Sequence, residues 1–268
     1  MKDKVVIITG GSSGIGKALA FEFGQQGSKL LLTGRRSELL LQTQAELRAR
    51  GVVVNVFAGD VSVEQDNQKM VERALQLYGS IDVLVNNAGI SMRALFEELD
   101  IEVFKKVMEV NFFGTVYATK YALPHILKSK GHIVGISSVN GRRASPARTA
   151  YSASKYAMEG FLESLRTEVM KRDVHVVSIC PGFTSSNIRH TALTAHGHAQ
   201  GASPRNESKM MSAEEAARLI YRAIVENKRD LVLTAQGKLA VWLNKIFPAW
   251  MDNVTYKEMA KEPDSPLR

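Results

Sequence analysis

The chain has almost no cysteine: Cys180 is the one thiol in 268 residues. No intramolecular disulfide can form, which excludes a disulfide-stapled scaffold and points to a reducing, cytoplasmic compartment. Cys180 lies in an apolar stretch beside Pro181, where a buried thiol is expected rather than a reactive one. Long hydrophobic runs are also lacking. The apolar stretch after Met1-Lys2-Asp3-Lys4 is cut at Gly10-Gly11, too short for a signal peptide, and nothing approaches the roughly 20 apolar residues of a membrane span. The glycosylation-like patterns at Asn206 and Asn253 therefore read as chance. Net charge is +8 and the pI is near 9.5, yet the basic residues form only short pairs such as Arg35-Arg36 and Arg142-Arg143. With no basic run and no nucleic-acid motif, this charge reads as solvated surface, and no nucleic-acid partner is expected.

What is present is a regular alternation. Apolar residues make up 45% and charged residues 23% of the chain, enough to bury a sizeable core. Nearly all-apolar strands are predicted at 5–9, 29–33, 52–58, 83–85, 132–136, 174–179 and 230–233. Helical stretches are predicted at 14–26, 37–50, 63–78, 101–128, 150–171 and 214–226, with Ser37 as an N-cap. Strands without a polar face, separated by helices, imply an α/β fold: a three-layer, doubly wound arrangement with a central parallel sheet. No linker-like break divides the pattern, so a single domain spanning 1–268 is expected. Two segments depart from the rhythm. Residues 184–212 form a long stretch rich in Ser, His and Gly, a length that usually marks a functional loop. Residues 237–251 hold both tryptophans of the chain.

The first strand runs into Thr9-Gly10-Gly11-Ser12-Ser13-Gly14-Ile15-Gly16. Glycines permit a tight turn and close backbone approach, and the following helix N-terminus offers free N–H groups to a phosphate. Three motifs compete for this loop. Residues 11–17 match the first part of a phosphate-binding G-x-x-x-x-G-K, but Ala18 stands where a Mg²⁺-ligating hydroxyl belongs. Residues 10–14 also match a nucleophile elbow around Ser12, without clearly placed acid and histidine partners. The third reading is a dinucleotide pyrophosphate site with G-x-x-x-G-x-G spacing. The end of the second strand bears on that reading. It lacks the acidic residue that would bind the ribose hydroxyls of NAD, and instead has Arg35 and Arg36, which suit a 2′-phosphate. NADP (as NADPH) is therefore expected over NAD.

Tyr151 and Lys155 are four residues apart near the start of a predicted helix and so share a face. A phenol titrates near 10. A neighbouring ammonium stabilises the phenolate, letting the tyrosine pass a proton to or from a carbonyl oxygen. Ser138 ends the preceding strand at the edge where ligands bind in open α/β sheets.

Taken together, residues 9–16, Asn86-Asn87-Ala88-Gly89, Asn111, Ser138, Tyr151-x-x-x-Lys155 and Pro181-Gly182 occur in an order and spacing that resembles the short-chain dehydrogenases/reductases, over nearly the whole chain up to about Leu233. The resemblance implies a Rossmann-type fold and a set of roles. Tyr151 would be the general acid or base. Lys155 would hold the nicotinamide ribose and lower the Tyr151 pKa. Ser138 would orient the carbonyl, and Asn111 would kink its helix around a water that passes protons to Lys155. Gly10, Ser12, Ser13, Gly14, Ile15 and Gly16 would line the pyrophosphate, with Arg35 and Arg36 at the 2′-phosphate and Asp60 and Val61 beside the adenine. Asn87, Ala88 and Gly89 would support the ribose. Pro181, Gly182, Thr184 and Ser186 would meet the nicotinamide. Members often carry Thr where Ser186 stands, and NADP-using members often carry a basic residue where Ser13 stands, which puts more weight on Arg35 and Arg36. Within the family, residues 86–91, 107–114 and 131–134 are similar to the dehydrogenase/reductase member 7B type, whose membrane-associated relatives are linked to lipid or hydrophobic carbonyl substrates.

The resemblance also implies that the 184–212 loop closes over the substrate. Its histidines, His190, His196 and His198, are expected to be solvated, and the reaction needs no metal. Leu239, Trp242, Leu243, Ile246, Phe247 and Trp250 follow helical spacing. The expectation is a helix packed over the cleft or against another subunit, with peripheral membrane contact as the alternative. Pro248 should end or kink it, and the polar tail after Tyr256 should fray. The chain is thus expected to interconvert a carbonyl and a secondary alcohol on a hydrophobic small molecule, as a homodimer or homotetramer. The alternatives are an NADP(H)-binding sensor without turnover and a membrane-peripheral protein.

Overall fold

The computed structural model describes residues 1–185, 187–203 and 210–267. Seven strands, β1 (Val5–Thr9), β2 (Lys29–Gly34), β3 (Val54–Ala58), β4 (Val83–Asn86), β5 (His132–Ile136), β6 (His175–Cys180) and β7 (Asp230–Val232), form one sheet in the order β3-β2-β1-β4-β5-β6-β7. Every pairing is parallel. Successive side chains of a strand point to opposite faces, and both faces are covered. Val6, Ile8, Leu30, Leu32, Val83, Val85, Val177 and Ile179 pack into one core layer. That layer lies under α1 (Gly14–Gln25), α2 (Ser37–Arg48) and α7 (Ala213–Val225). The intervening Ile7, Leu31, Leu84, Ile133 and Val176 pack into the other. Its helices are α3 (Glu64–Tyr78), α5 (Gly114–Ser129) and α6 (Thr149–Val169). Burial on both faces is the reason the strands read as unbroken apolar runs.

The chain reverses direction across the sheet between β1 and β4, which opens a crevice at their carboxyl ends. Around this crevice the structure departs from the sequence pattern in four places. Ser37 is not a cap: it is the first residue of α2, and the cap position falls on Arg36. The long helix expected at 101–128 is three pieces: α4 (Ile101–Met108), a π-helical turn (Glu109–Phe113) and α5. Beyond β7, α8 (Ala235–Ile246) and α9 (Pro248–Ala260) follow one another, with Pro248 opening α9 rather than merely ending α8. Finally, the tail after Tyr256 does not fray. Met259, Glu262 and Ser265 are buried. The buried Arg93 side chain holds Glu262 at 3.3 Å and donates to the Pro263 carbonyl at 2.9 Å.

Candidate active site

The glycine loop owes its shape to two close approaches. Gly10 has φ +66° and faces Asn87 and Ala88, where a Cβ would come within about 3 Å. Gly16 packs directly on the Gly10 carbonyl and the Asn87 side chain, leaving no room for a Cβ. Gly16 therefore sits behind the loop and closes it, whereas Gly10, Ser12, Ser13, Gly14 and Ile15 line the cavity in front. Thr9 ties this loop to the end of β4. Its hydroxyl donates to the Val85 carbonyl and accepts from the Asn87 and Ala88 N–H groups at 2.9 and 3.0 Å. Asn87 in turn donates to the Thr9 carbonyl at 2.8 Å.

The cavity, about 640 Å³, extends from this loop along the carboxyl edge of the sheet. Arg35, Arg36, Asp60 and Val61 line its β2–β3 side. Arg36 donates to the Ser13 hydroxyl at 3.1 Å, and Arg35 lies 3.7 Å from the Asp60 carboxylate. Ala88, Gly89, Ser138, Tyr151, Lys155, Pro181, Gly182 and Thr184 form the middle. Of the residues expected at a cofactor, Ser186 lies outside the described residues; so does Asn206 of the glycosylation-like pattern.

Tyr151 and Lys155 are both buried on α6. The Tyr151 phenol and the Ser138 hydroxyl line the cavity together, and Ser138 accepts from the Asn140 N–H at 3.1 Å. Lys155 donates to the Ile136 carbonyl at 2.8 Å, and its ammonium lies 5.8 Å from the Tyr151 ring centroid. Burial raises the Tyr151 pKa; the Ser138 hydroxyl and then the Arg148 and Arg189 guanidinium groups oppose it. Arg148 and Arg189 thus join Lys155 as cations around the phenol, and burial outweighs the lowering contributions. Burial also lowers Lys155, to about 8, with the Glu159 carboxylate as the main opposing charge. Asn111 lies in the π-helical turn and does not line the cavity. It clasps Ile90 from both sides, accepting from its N–H at 2.8 Å and donating to its carbonyl at 2.9 Å, and it donates to Ser154 at 2.9 Å. Gly89 separates Asn111 from Lys155: a Cβ there would meet Asn111 Oδ1 at 3.2 Å and Lys155 Nζ at 3.5 Å.

Three participants escaped the sequence reading. Glu159, one turn beyond Lys155 on the same helix face, accepts from Ser178 at 2.6 Å and from the Cys180 thiol at 3.3 Å, and pairs with Arg142 at 2.7 Å. The i, i+4, i+8 spacing of Tyr151, Lys155 and Glu159 carried that signal. Burial pushes the Cys180 thiol up to about 12, keeping it protonated. Arg148 and Arg189 also line the cavity, Arg148 donating to Ser91 and Met92 and Arg189 to the Thr184 carbonyl. No local spacing announces them. On the far side, Tyr151 joins Met92, Val103, Val107 and Ala150 in an apolar cluster packed by Ile188 and Leu193. Residues of the 184–212 loop thus wall this part of the cavity. Its histidines do not: His196 pairs with Asp100 at 3.1 Å and His190 lies near the Gly201 carbonyl.

The residues fit a nicotinamide dinucleotide. The glycine loop presents backbone rather than side chains, and the buried Thr184 hydroxyl lines the cavity with no hydrogen-bond partner among the described residues. A doubly wound parallel sheet with this glycine loop and cavity at its switch point is the architecture of a dinucleotide-binding protein. The match to known proteins is specific. The family model described as short chain dehydrogenase matches residues 4–196, and the chain belongs to that family. A Drosophila melanogaster dehydrogenase/reductase SDR family protein 7-like is 38% identical over 92% of this chain and 77% of its own length. The Mus musculus dehydrogenase/reductase SDR family member 7B is 35% identical over 99% of this chain and 84% of its own. Among solved structures, a Burkholderia phymatum short chain dehydrogenase/reductase in complex with NAD aligns with TM-score 0.84 at 26% identity, covering 93% of this chain and 95% of that one. A Thermococcus sibiricus alcohol dehydrogenase complexed with 5-hydroxy-NADP aligns with TM-score 0.77 at 26% identity, covering 87% and 96%.

Proposed function

We infer that the chain is an NADPH-dependent oxidoreductase that interconverts a carbonyl and a secondary alcohol on a hydrophobic substrate. The observation that carries this reading is the convergence of Ser138, Tyr151 and Lys155 in the cavity that begins at the glycine loop. A bound nicotinamide would supply or accept the hydride. Ser138, on the same cavity wall as the phenol, holds the substrate oxygen next to Tyr151. Tyr151, protonated because burial raises its pKa, donates its proton to that oxygen during reduction and takes one back in the reverse direction. Lys155 and the two arginines stabilise the phenolate left behind. Asn111 fixes the Ile90 backbone and the π-helical turn beside Lys155. The NADP preference is supported by Arg35 and Arg36 on the cavity wall where β2 ends, with no acidic residue at that strand end. The apolar cluster around Tyr151 supports a hydrophobic substrate.

The test is a titration with NADPH and NADH, followed by turnover at 340 nm on a panel of hydrophobic ketones, with Tyr151→Phe alongside. Tighter binding of NADPH, with turnover that falls about 10²–10⁴-fold in the variant, is expected. Tight binding without turnover would favour a nucleotide sensor, and no binding of either nucleotide would overturn the reading.

A further inference from the structure

We propose that α8 and α9 form an interfacial face with which the chain lies on the surface of an anionic phospholipid bilayer. The sequence pattern left the apolar stripe of α8 to pack over the cleft, against another subunit or on lipid; in the structure the stripe faces outward. At about 100° per residue, Trp242, Ile246 and Leu239 fall on one side of α8, and Gly237, Ala240 and Asn244 fall on the opposite side. The second set faces the protein. The first set, with Phe247 and Trp250 at the corner between the helices, leaves 49–56% of each side chain's residue surface exposed. On α9, Met251 and Met259 point inward, and Trp250 and Lys257, seven residues apart, share the outer line.

Charge selects the occupant. Lys238 and Lys245 flank the apolar stripe on the Trp242 side, and α8 carries no acidic residue. Neither they nor Lys257 makes an ion pair among the described residues. The acidic residues of α9 are engaged within the protein: Asp252 with Arg143 at 2.9 Å and Glu258 with Lys261 at 2.6 Å. Two tryptophans and aliphatic side chains beside unpaired lysines suit the boundary between acyl chains and anionic headgroups. A second copy fits less well, because an isologous contact brings up the same α8 surface, which has no acidic residue to meet the lysines. At 12 residues α8 cannot span a bilayer and can only lie on it. No helix among the described residues is long and apolar enough to cross. The inner faces of the same two helices, through Gly237, Ala240, Met251, Val254 and Met259, line the substrate cavity. A face seated on lipid would therefore place the cavity wall at the membrane boundary, where a hydrophobic substrate is stored.

Both tryptophans of the chain belong to this face, so tryptophan emission, excited beyond the absorption of tyrosine, reports on it alone. The full-length protein is mixed with phosphatidylcholine vesicles, with and without added phosphatidylserine, and read by co-sedimentation and tryptophan emission. Binding to the anionic vesicles, a blue shift, quenching by brominated lipid and weakening with salt are expected. Leu239→Ser with Ile246→Ser, and separately Lys238→Glu with Lys245→Glu, should weaken partition about tenfold or more while thermal melting and nucleotide binding stay unchanged. Absence of binding and of any shift with both vesicle types would overturn the proposal. So would a blue shift that grows with protein concentration without vesicles and disappears, together with a dimer, in the Leu239/Ile246 variant. None of these readouts uses turnover, so failure of the reductase reading leaves the result interpretable.

Discussion

Replacing Glu159 by Gln should change the titration of Lys155 without touching Lys155 itself. Burial holds the folded-state Lys155 near 8, against an ordinary value of 10.5, and Glu159 is the main charge resisting that fall. Between about pH 8 and 10.5 the unfolded chain holds the extra proton, so the protein without cofactor gains stability as pH rises across this window. The gap corresponds to about 3 kcal/mol, a penalty felt in full below about pH 8 and relieved above 10.5. Side chains one helical turn apart have Cβ atoms about 6 Å apart, and at an effective dielectric near 20 a full charge there gives roughly 2–3 kcal/mol. Arg142 takes part of Glu159's charge at 2.7 Å, which leaves about 1–2 kcal/mol, or about one pKa unit, on Lys155. Glu159→Gln should therefore start the rise in stability about one pH unit lower than in the parent protein. Urea unfolding from about pH 6 to 10 reads this directly, with Lys155→Met as the control in which this component vanishes. A uniform loss of stability at every pH, parallel to the parent curve, would refute the reasoning, because Glu159 would then only pack against Ser178 and Arg142. In turnover, the high-pH limb that depends on protonated Lys155 should move down by the same amount.

Four further outcomes follow from the geometry. Arg36→Ala removes the guanidinium held against Ser13 and should weaken NADPH by roughly 10–100-fold with little effect on NADH, measured by fluorescence titration. Gly16→Ala places a methyl against the Gly10 carbonyl and the Asn87 amide. It should cost about 1–3 kcal/mol in a denaturant melt and impair binding of both nucleotides together. Glu262→Ala leaves the buried Arg93 without its carboxylate, at a cost of about 3–5 kcal/mol; limited proteolysis should then find the C-terminal tail released. Leu84→Ala empties a fully buried position on the central strand and should lower stability by about 2–5 kcal/mol.

The sequence by itself determined the sheet and the middle of the site. Seven apolar runs could be buried only on both faces of a parallel sheet, and two residues four apart on a helix must share a face whatever surrounds them. The glycine loop and the absence of an acid at the end of β2 were legible for the same reason: local conformation and local charge are set by neighbours in the chain. Tertiary structure decided what depends on distant segments. It placed Gly16 behind the loop, because β4 brings Asn87 up against it. It set the balance at Tyr151, where burial outweighs the Ser138 hydroxyl beyond the end of β5 and the charges of Arg148 and Arg189. It gave the kink that the resemblance implied at Asn111 its form, a π-helical turn whose Asn111 side chain clasps the Ile90 backbone across the crevice. It docked a polar tail through Arg93, 169 residues before Glu262 in sequence. And it turned the apolar stripe of α8 outward: helical spacing shows that a stripe exists, but the direction it faces is set by what the rest of the chain leaves to cover.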